Sequence, residues 1–341
     1  MSSPNIKQNT LKIINYDQPE RIEVCVPMRP VSYLGCDHES LDIVSQADKE
    51  ASGTWEDIWG TAFRFYPGGI SETPIGHPLT DGVDALPGYR WPDPNDERLT
   101  GKIYQDLKGI TDPENGFITG LHRDLLWEKS YMLAGMENMM MWFIIEPELV
   151  KEIFHKIMDF QMGIAEHYLN AGVELVKFGD DLGGQTNALF SHEIFSEFIL
   201  PEYRRIFDFY KQNNVLIYLH SCGNIHNFLE DYMDLGVDVL NPVQATANDL
   251  DWVRAKTQGR IALEGGVRSS IVMHGKESEV EQEVLTRMIQ LGNAGGYFCK
   301  PDQTMPYPEN NYAKLVETVG LYGQYPLKIG TMNSIIDRII T

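Results

Sequence analysis

The stretch VLIYLHSCGN, residues 215–224, begins as an apolar, strand-favouring run and ends in a histidine, a cysteine and a glycine. A short apolar run closed by a turn residue reads as a strand buried on both faces, the habit of parallel sheets. The same half holds more such runs: VELVKFGDD (173–181), VDVLNPV (237–243), IALEGG (261–266) and GGYFCKP (295–301). Helical patterns over about 191–213, 225–235, 248–257 and 277–292 separate them, the first opened by Ser191 as a candidate N-cap. Strands alternating with helices predict βα units and a parallel sheet.

The N-terminal half is less regular. IEVCVPM (22–28) supplies a first strand, and helical patterns run at about 122–140 and 147–171. Residues 53–121 are rich in Gly, Pro, Trp and Tyr, as in YPGGISETPIGHPL (66–79) and PGYRWPDPNDERLTG (87–101). They predict long loops and a hairpin. Seven or eight βα units follow one another without a linker. Residues 1–341 therefore read as one α/β domain, a closed (β/α)8 TIM barrel, with 53–121 as a loop-rich insert over its mouth. An open, doubly wound sheet is the alternative, but no Gly-rich phosphate loop follows the first strand.

The chain carries 28 basic and 49 acidic residues, a net charge of −21. Such a surface repels nucleic acid and polyanionic substrates at long range. No run approaches the roughly 20 apolar residues of a membrane span. The opening MSSPNIKQNTLKII lacks the basic and apolar regions of a secretory signal. Cys25, Cys36, Cys222 and Cys299 are too few for a disulfide scaffold and read as reduced thiols. The expectation is a cytoplasmic protein that binds neither nucleic acid nor membrane.

In a barrel, chemistry collects at the C-terminal ends of the strands. Asp180, Asp181, His220, Cys222, Asn241, Gln244, Glu264, Cys299 and Lys300 fall there. Side chains alternate along a strand, so His220 and Cys222 share a face. Imidazole and thiolate suit zinc; a hydrogen-bonded histidine beside a core cysteine is the competing reading. Cys299 is a candidate third ligand, or a small buried hydrophobe. Glu264 needs a partner if buried: a metal, a proton, a substrate hydroxyl, or Arg268. Only one of Asp180 and Asp181 can face inward. Asp181, with Gln185, is placed to bind substrate or a metal ligand, or to cap the next turn. Asn241 and Gln244 are further candidates for substrate.

A second cluster, Cys36, Asp37, His38 and Glu39, follows the first strand, where Asp37 or Ser40 would cap a helix. The insert's Trp55, Trp59, Phe63, Phe65, Tyr66 and Trp91 form either an apolar lid, with Trp59 and Phe65 against substrate, or ordinary core. His77, His122 and His192 are isolated and read as surface or capping residues.

Several segments together resemble the uroporphyrinogen decarboxylase superfamily. They are LKIINYDQPERIEV (11–24), FGDDLGGQTNALFSHEIFSEFILPEYRRI (178–206), LHSCGN, LGVDVLNPVQ, LEGGV, GGYFCKP and PYPENNYAKLVE, in that order. The resemblance implies a (β/α)8 barrel and offers two chemistries. Its decarboxylases use no metal and bind an octacarboxylate through an Arg-rich N-terminal motif. Here the matching VPMRPVSYLG retains only Arg29. Its corrinoid-dependent methyltransferases carry a His-x-Cys…Cys zinc site, to which His220 and Cys222 correspond. The last cysteine of that set falls at Gln303, four residues beyond Cys299. Glu264 stands where the decarboxylases have an amide, and is a candidate ligand or proton donor.

The resemblance implies Zn2+ held by His220, Cys222 and Cys299 or Glu264. It implies Glu264 or Asp181 managing a proton, and methyl transfer between a small methylated substrate and cobalt. The aromatic insert favours a methoxylated aromatic, hence ether demethylation. No Asp-x-His-x-x-Gly motif is present, so the corrinoid (methylcobalamin) comes with a partner protein. The rivals are a metal-free decarboxylase-like enzyme, a methylcobalamin:thiol methyltransferase, and a corrinoid or tetrapyrrole carrier that is not an enzyme.

Overall fold

Every strand-like run of the C-terminal half forms a strand, and all of them join one parallel sheet. The computed structural model describes residues 5–66 and 72–340. Its strands are β1 (Met28–Val31), β2 (Thr54–Glu56), β3 (Ala62–Arg64), β4 (Thr73–Gly76), β5 (Phe117–His122), β6 (Leu175–Gly179), β7 (Leu216–His220), β8 (Val239–Asn241), β9 (Ala262–Val267) and β10 (Tyr297–Pro301). The parallel sheet runs β1-β5-β6-β7-β8-β9-β10. It closes through a parallel bridge between Glu23 and Phe298, with the Cys299 N–H donating to the Glu23 carbonyl at 2.9 Å.

The expected barrel is thus present, with seven parallel strands among the described residues. The segment read as one strand over 22–28 is divided. Its start bridges β10, and its continuation pairs with β5 only from Met28. Pro27 has no N–H to give a ladder, and the chain changes partners there.

Alternation sorts the strand residues into two cores. Phe117, Leu175, Tyr218, Val239, Ala262 and Phe298 point inward, and Ile13 and Ile14 of the helix Ile6–Ile14 pack with them near the strands' N-terminal ends. The outward set, including Val176, Phe178, Ile217, Leu219, Leu240, Leu263 and Cys299, packs under the surrounding helices. Burial on both faces is what makes these runs apolar throughout.

The insert is more ordered than a hairpin. β2, β3 and β4 form a separate antiparallel sheet, and the helix Glu97–Gly109 follows. Its last residues, from Phe117, belong to the barrel as β5. Residues 67–71 of the insert lie outside the described residues. Among the described residues no helix is long and apolar enough to cross a membrane.

Candidate metal centre at the barrel mouth

The loops after β6 and β7 meet backbone to backbone. Gly223 has φ of +81°, and a Cβ there would collide with the carbonyl of Gly183. Only glycine tolerates both conditions. The close approach sets Cys222 beside Asp181, whose Oδ1 accepts the Cys222 N–H at 2.8 Å. His220 Nε2 lies 3.4 Å from Cys222 Sγ and 3.6 Å from Asp181 Oδ1. One ligand atom from each of Asp181, His220 and Cys222 lies within 4.8 Å of the others.

The tautomer of His220 follows from its neighbours. Asn241 Nδ2 is directed at the Glu264 carboxylate, 3.3 Å from Oε1. That turns Asn241 Oδ1, an acceptor only, toward His220 Nδ1 at 2.6 Å. Nδ1 must therefore carry the proton, which leaves the Nε2 lone pair facing Cys222 and Asp181. Burial holds the His220 imidazole below its ordinary pKa. Burial, then the Asp181 carboxylate, pushes the Cys222 thiol up to about 12. Nitrogen, sulfur and carboxylate oxygen around one point form a donor set that fits zinc.

Gln303 is placed against this group, its Nε2 donating to Cys222 Sγ at 3.6 Å. Cys299 is not. It is fully buried in the outward core, and the charged neighbours that its thiol feels are Glu283 and Arg287, of the helix Glu277–Gly292. Phe298 and Lys300 flank it on the strand, and Phe298 points into the barrel. By alternation, then, Cys299 points away from the cluster, which corrects its candidacy as a ligand.

Glu264 is 1% exposed and already fully engaged. Its Oε2 accepts the Val26 N–H at 2.9 Å, and its Oε1 accepts the Tyr218 hydroxyl at 2.7 Å. Asn241 and Lys300 stand at 3.3 and 3.4 Å from the same Oε1. Its part is to orient Asn241 and tie strands together, in place of the ligand or proton donor expected. Arg268, the alternative partner, pairs with Glu283 instead.

Asp180 and Asp181 divide as alternation requires. Asp180 faces outward and accepts the N–H groups of Leu126, Trp127 and Glu128 and the Tyr203 hydroxyl. It thus caps the start of the helix Trp127–Ala134.

Gln185 and Gln244 bond each other at 2.9 Å, and Gln244 also accepts the Gly223 N–H. They brace the loops, and the residues lining the cavities of about 310, 40 and 540 Å³ at the mouth do not include them. The expected lid is core: Trp59 packs edge-on against Phe160 and Trp91, and Phe65 packs on the cluster of Trp55, Phe63 and Met132.

A cavity of about 310 Å³ opens beside the cluster, lined by Leu121, Arg123, Asp124, Glu128, Lys177, Gly179, Asp181 and His220. A smaller one, of about 40 Å³, shares Lys177 and His220 with it and adds Asn241, Lys300 and Gln303. A third, of about 540 Å³, shares Lys300 and Gln303 and adds Tyr307 and Tyr312.

Arg123, Asp124, Glu128 and Lys177 were not found by sequence reasoning. Lys177 was legible, because it shares alternation with Leu175 and Asp181 in VELVKFGDD. Asp124 was not: its partner is His38, Nε2 to Oδ2 at 2.6 Å, across 86 residues. His38 is thereby part of a buried ionic network with Asp124, Glu72 and Lys49 rather than a helix-cap neighbour. Burial, then the nearby Asp124, Asp181 and Asp180, raises the Glu128 carboxyl well above its usual range.

A model of the uroporphyrinogen decarboxylase (URO-D) family matches residues 128–322. A methylated-thiol–coenzyme M methyltransferase of Methanosarcina mazei is 27% identical over 106 residues, which is 31% of this chain and 28% of that protein. The match therefore spans well under a third of that relative. A solved methyltransferase structure from Methanosarcina mazei superposes with a TM-score of 0.69 at 17% identity, over 94% of this chain and 99% of that one. At that identity the likeness is one of fold.

Proposed function

The chain belongs to the uroporphyrinogen decarboxylase family, and from that premise we propose a zinc-dependent methyltransferase. It moves a methyl group between a small methylated substrate and the cobalt of a separate corrinoid protein. The observation that carries this reading is the Asp181, His220 and Cys222 cluster at the mouth. When bound, zinc supplies Lewis acidity to a poor leaving group, and the partner's cobalt supplies the nucleophile.

The chain's own residues prepare the site. Asn241 fixes His220 with Nε2 free. Asp181 holds the Cys222 backbone and sets the same carboxylate oxygen 3.6 Å from His220 Nε2. Cys222, its thiol pushed up to about 12, gives up its proton on metal binding. Gln303 leaves a three-residue donor set of mixed N, S and O character, harder than one with two thiolates. That favours an oxygen leaving group over a thiol. The cavity with Tyr307 and Tyr312 offers aromatic surface beside Lys300 and Gln303, which suits a methoxylated aromatic and an ether demethylation. Arg29, the one arginine left of a carboxylate-binding motif, is paired with Asp112 at 3.3 Å. That weakens the metal-free decarboxylase reading.

The experiment is metal analysis after anaerobic purification, with methyl transfer to cobalt(I) corrinoid from a panel of methoxylated aromatics and methylated thiols. About one zinc per chain and transfer from an ether are expected. Less than about a tenth of an equivalent of zinc rejects the proposal in favour of the metal-free enzyme. Transfer from thioethers alone moves the substrate to the thiol class. Stoichiometric retention of corrinoid without turnover favours a carrier.

A further inference from the structure

Lys177 is a partly buried cation that feels the Glu264 carboxylate only at a distance. It stands on the inward face of β6, in register with Tyr218, and its Nζ lies 5.7 Å from the centre of that ring. Among the described residues no hydrogen bond or ion pair reaches it. Burial, and then Lys300 nearby, push its ammonium below the ordinary lysine range. Lys300 has one ion pair, at 3.4 Å, with a Glu264 carboxylate that Val26, Tyr218 and Asn241 already occupy. The barrel floor therefore sets two ammonium groups against one carboxylate.

Lys177 lines the cavity beside the metal cluster and, with Lys300, the smaller one that adjoins it. The acids of the larger cavity do not neutralise it. Asp124 is held by His38, Asp181 is turned to Cys222, and Glu128 accepts the Asp181 N–H and the Tyr131 hydroxyl. A sequestered, uncompensated ammonium is costly, and an arriving anion relieves that cost. The acidic exterior is no obstacle, because salt screens charge over about 8 Å.

We propose that Lys177, with Lys300 beside it, forms a carboxylate-binding subsite, and that the substrate is a methoxylated aromatic acid rather than a neutral methoxyarene. The subsite deepens, and rests on, the methyl-transfer reading of the same mouth.

Matched pairs test it: 3- and 4-methoxybenzoate against the corresponding methoxybenzamides. Binding to the purified chain is read by calorimetry, and transfer to cobalt(I) corrinoid by absorbance. The acids are expected to bind roughly ten- to a hundredfold more tightly than the amides. Lys177→Met should abolish that preference with zinc content unchanged, and Lys177→Arg should keep most of it. Equal binding of acid and amide by the unaltered chain overturns the subsite without recourse to any variant. A preference that survives in Lys177→Met overturns the role of Lys177. Transfer from neutral methoxyarenes with no preference for acids sinks the subsite and leaves the methyltransferase standing. Acid binding that depends on Lys177, with no transfer from any donor, upholds the subsite and sinks the methyl-transfer reading.

Discussion

At the residue scale, two cysteines of the same barrel, one just after β7 and one on β10, have opposite fates. Cys222 follows an inward histidine, and the glycine after it lets two loops touch, so its sulfur meets His220 and Asp181. Cys299 sits one residue from an inward phenylalanine, so it packs among the helices. Both thiols are pushed up to about 12, so acidity does not distinguish them; direction does. Cys222→Ala should therefore lose zinc, whereas Cys299→Ala should keep it and cost only about 1–2 kcal/mol of packing. Zinc released to a colorimetric chelator and a denaturation curve measure both. A zinc-free Cys299→Ala protein that folds normally would return Cys299 to the ligand set.

At the element scale, His122 locks β5 to two helices. Its Nδ1 faces Gln161 of Pro147–Asn170 at 2.7 Å, and its Nε2 faces the Tyr210 hydroxyl of Leu200–Gln212 at 2.7 Å. The reading of it as a surface or capping residue is wrong, because the strand that carries it lay hidden in the insert. Burial lowers its pKa from 6.5 to about 4. Between those values the unfolded chain binds a proton that the folded chain refuses, so stability rises with pH there. The contribution is fully present above pH 6.5 and is lost as pH falls toward 4, amounting to about 3 kcal/mol. Urea denaturation at pH 7 and pH 5 should show His122→Gln less stable at pH 7 but with a shallower loss on acidification. Parallel slopes would mean that His122 is not what titrates.

At the scale of the whole molecule, Glu264 joins pieces far apart in the chain. It binds Val26 in the segment that closes the barrel, Tyr218 on β7, Asn241 beside it and Lys300 on β10. Glu264→Gln would present an amide N–H₂ to a site built from donors. The expected loss is about 2–4 kcal/mol. It should appear equally in protein stripped of zinc by a chelator, where a ligand's role would be silent. A loss confined to the zinc-loaded protein would make Glu264 a ligand after all.

The sequence by itself determined the alternation of strand and helix, hence a parallel barrel, and the pairing of His220 with Cys222 on one strand face. These are local facts, written in period and spacing. It did not determine which face of GGYFCKP turns inward, because a strand apolar on both sides carries no contrast between its faces. Nor could it reveal β5 inside a Gly- and Pro-rich stretch, the His38–Asp124 pair, or the four partners of Glu264. Those depend on tertiary contact between groups distant in the chain, such as Val26 and Glu264, 238 residues apart. Tertiary structure alone decided that Asp181 joins the cluster while Cys299 and Glu264 do not. Buried charge must find a partner, and only the closed barrel says which partners are within reach.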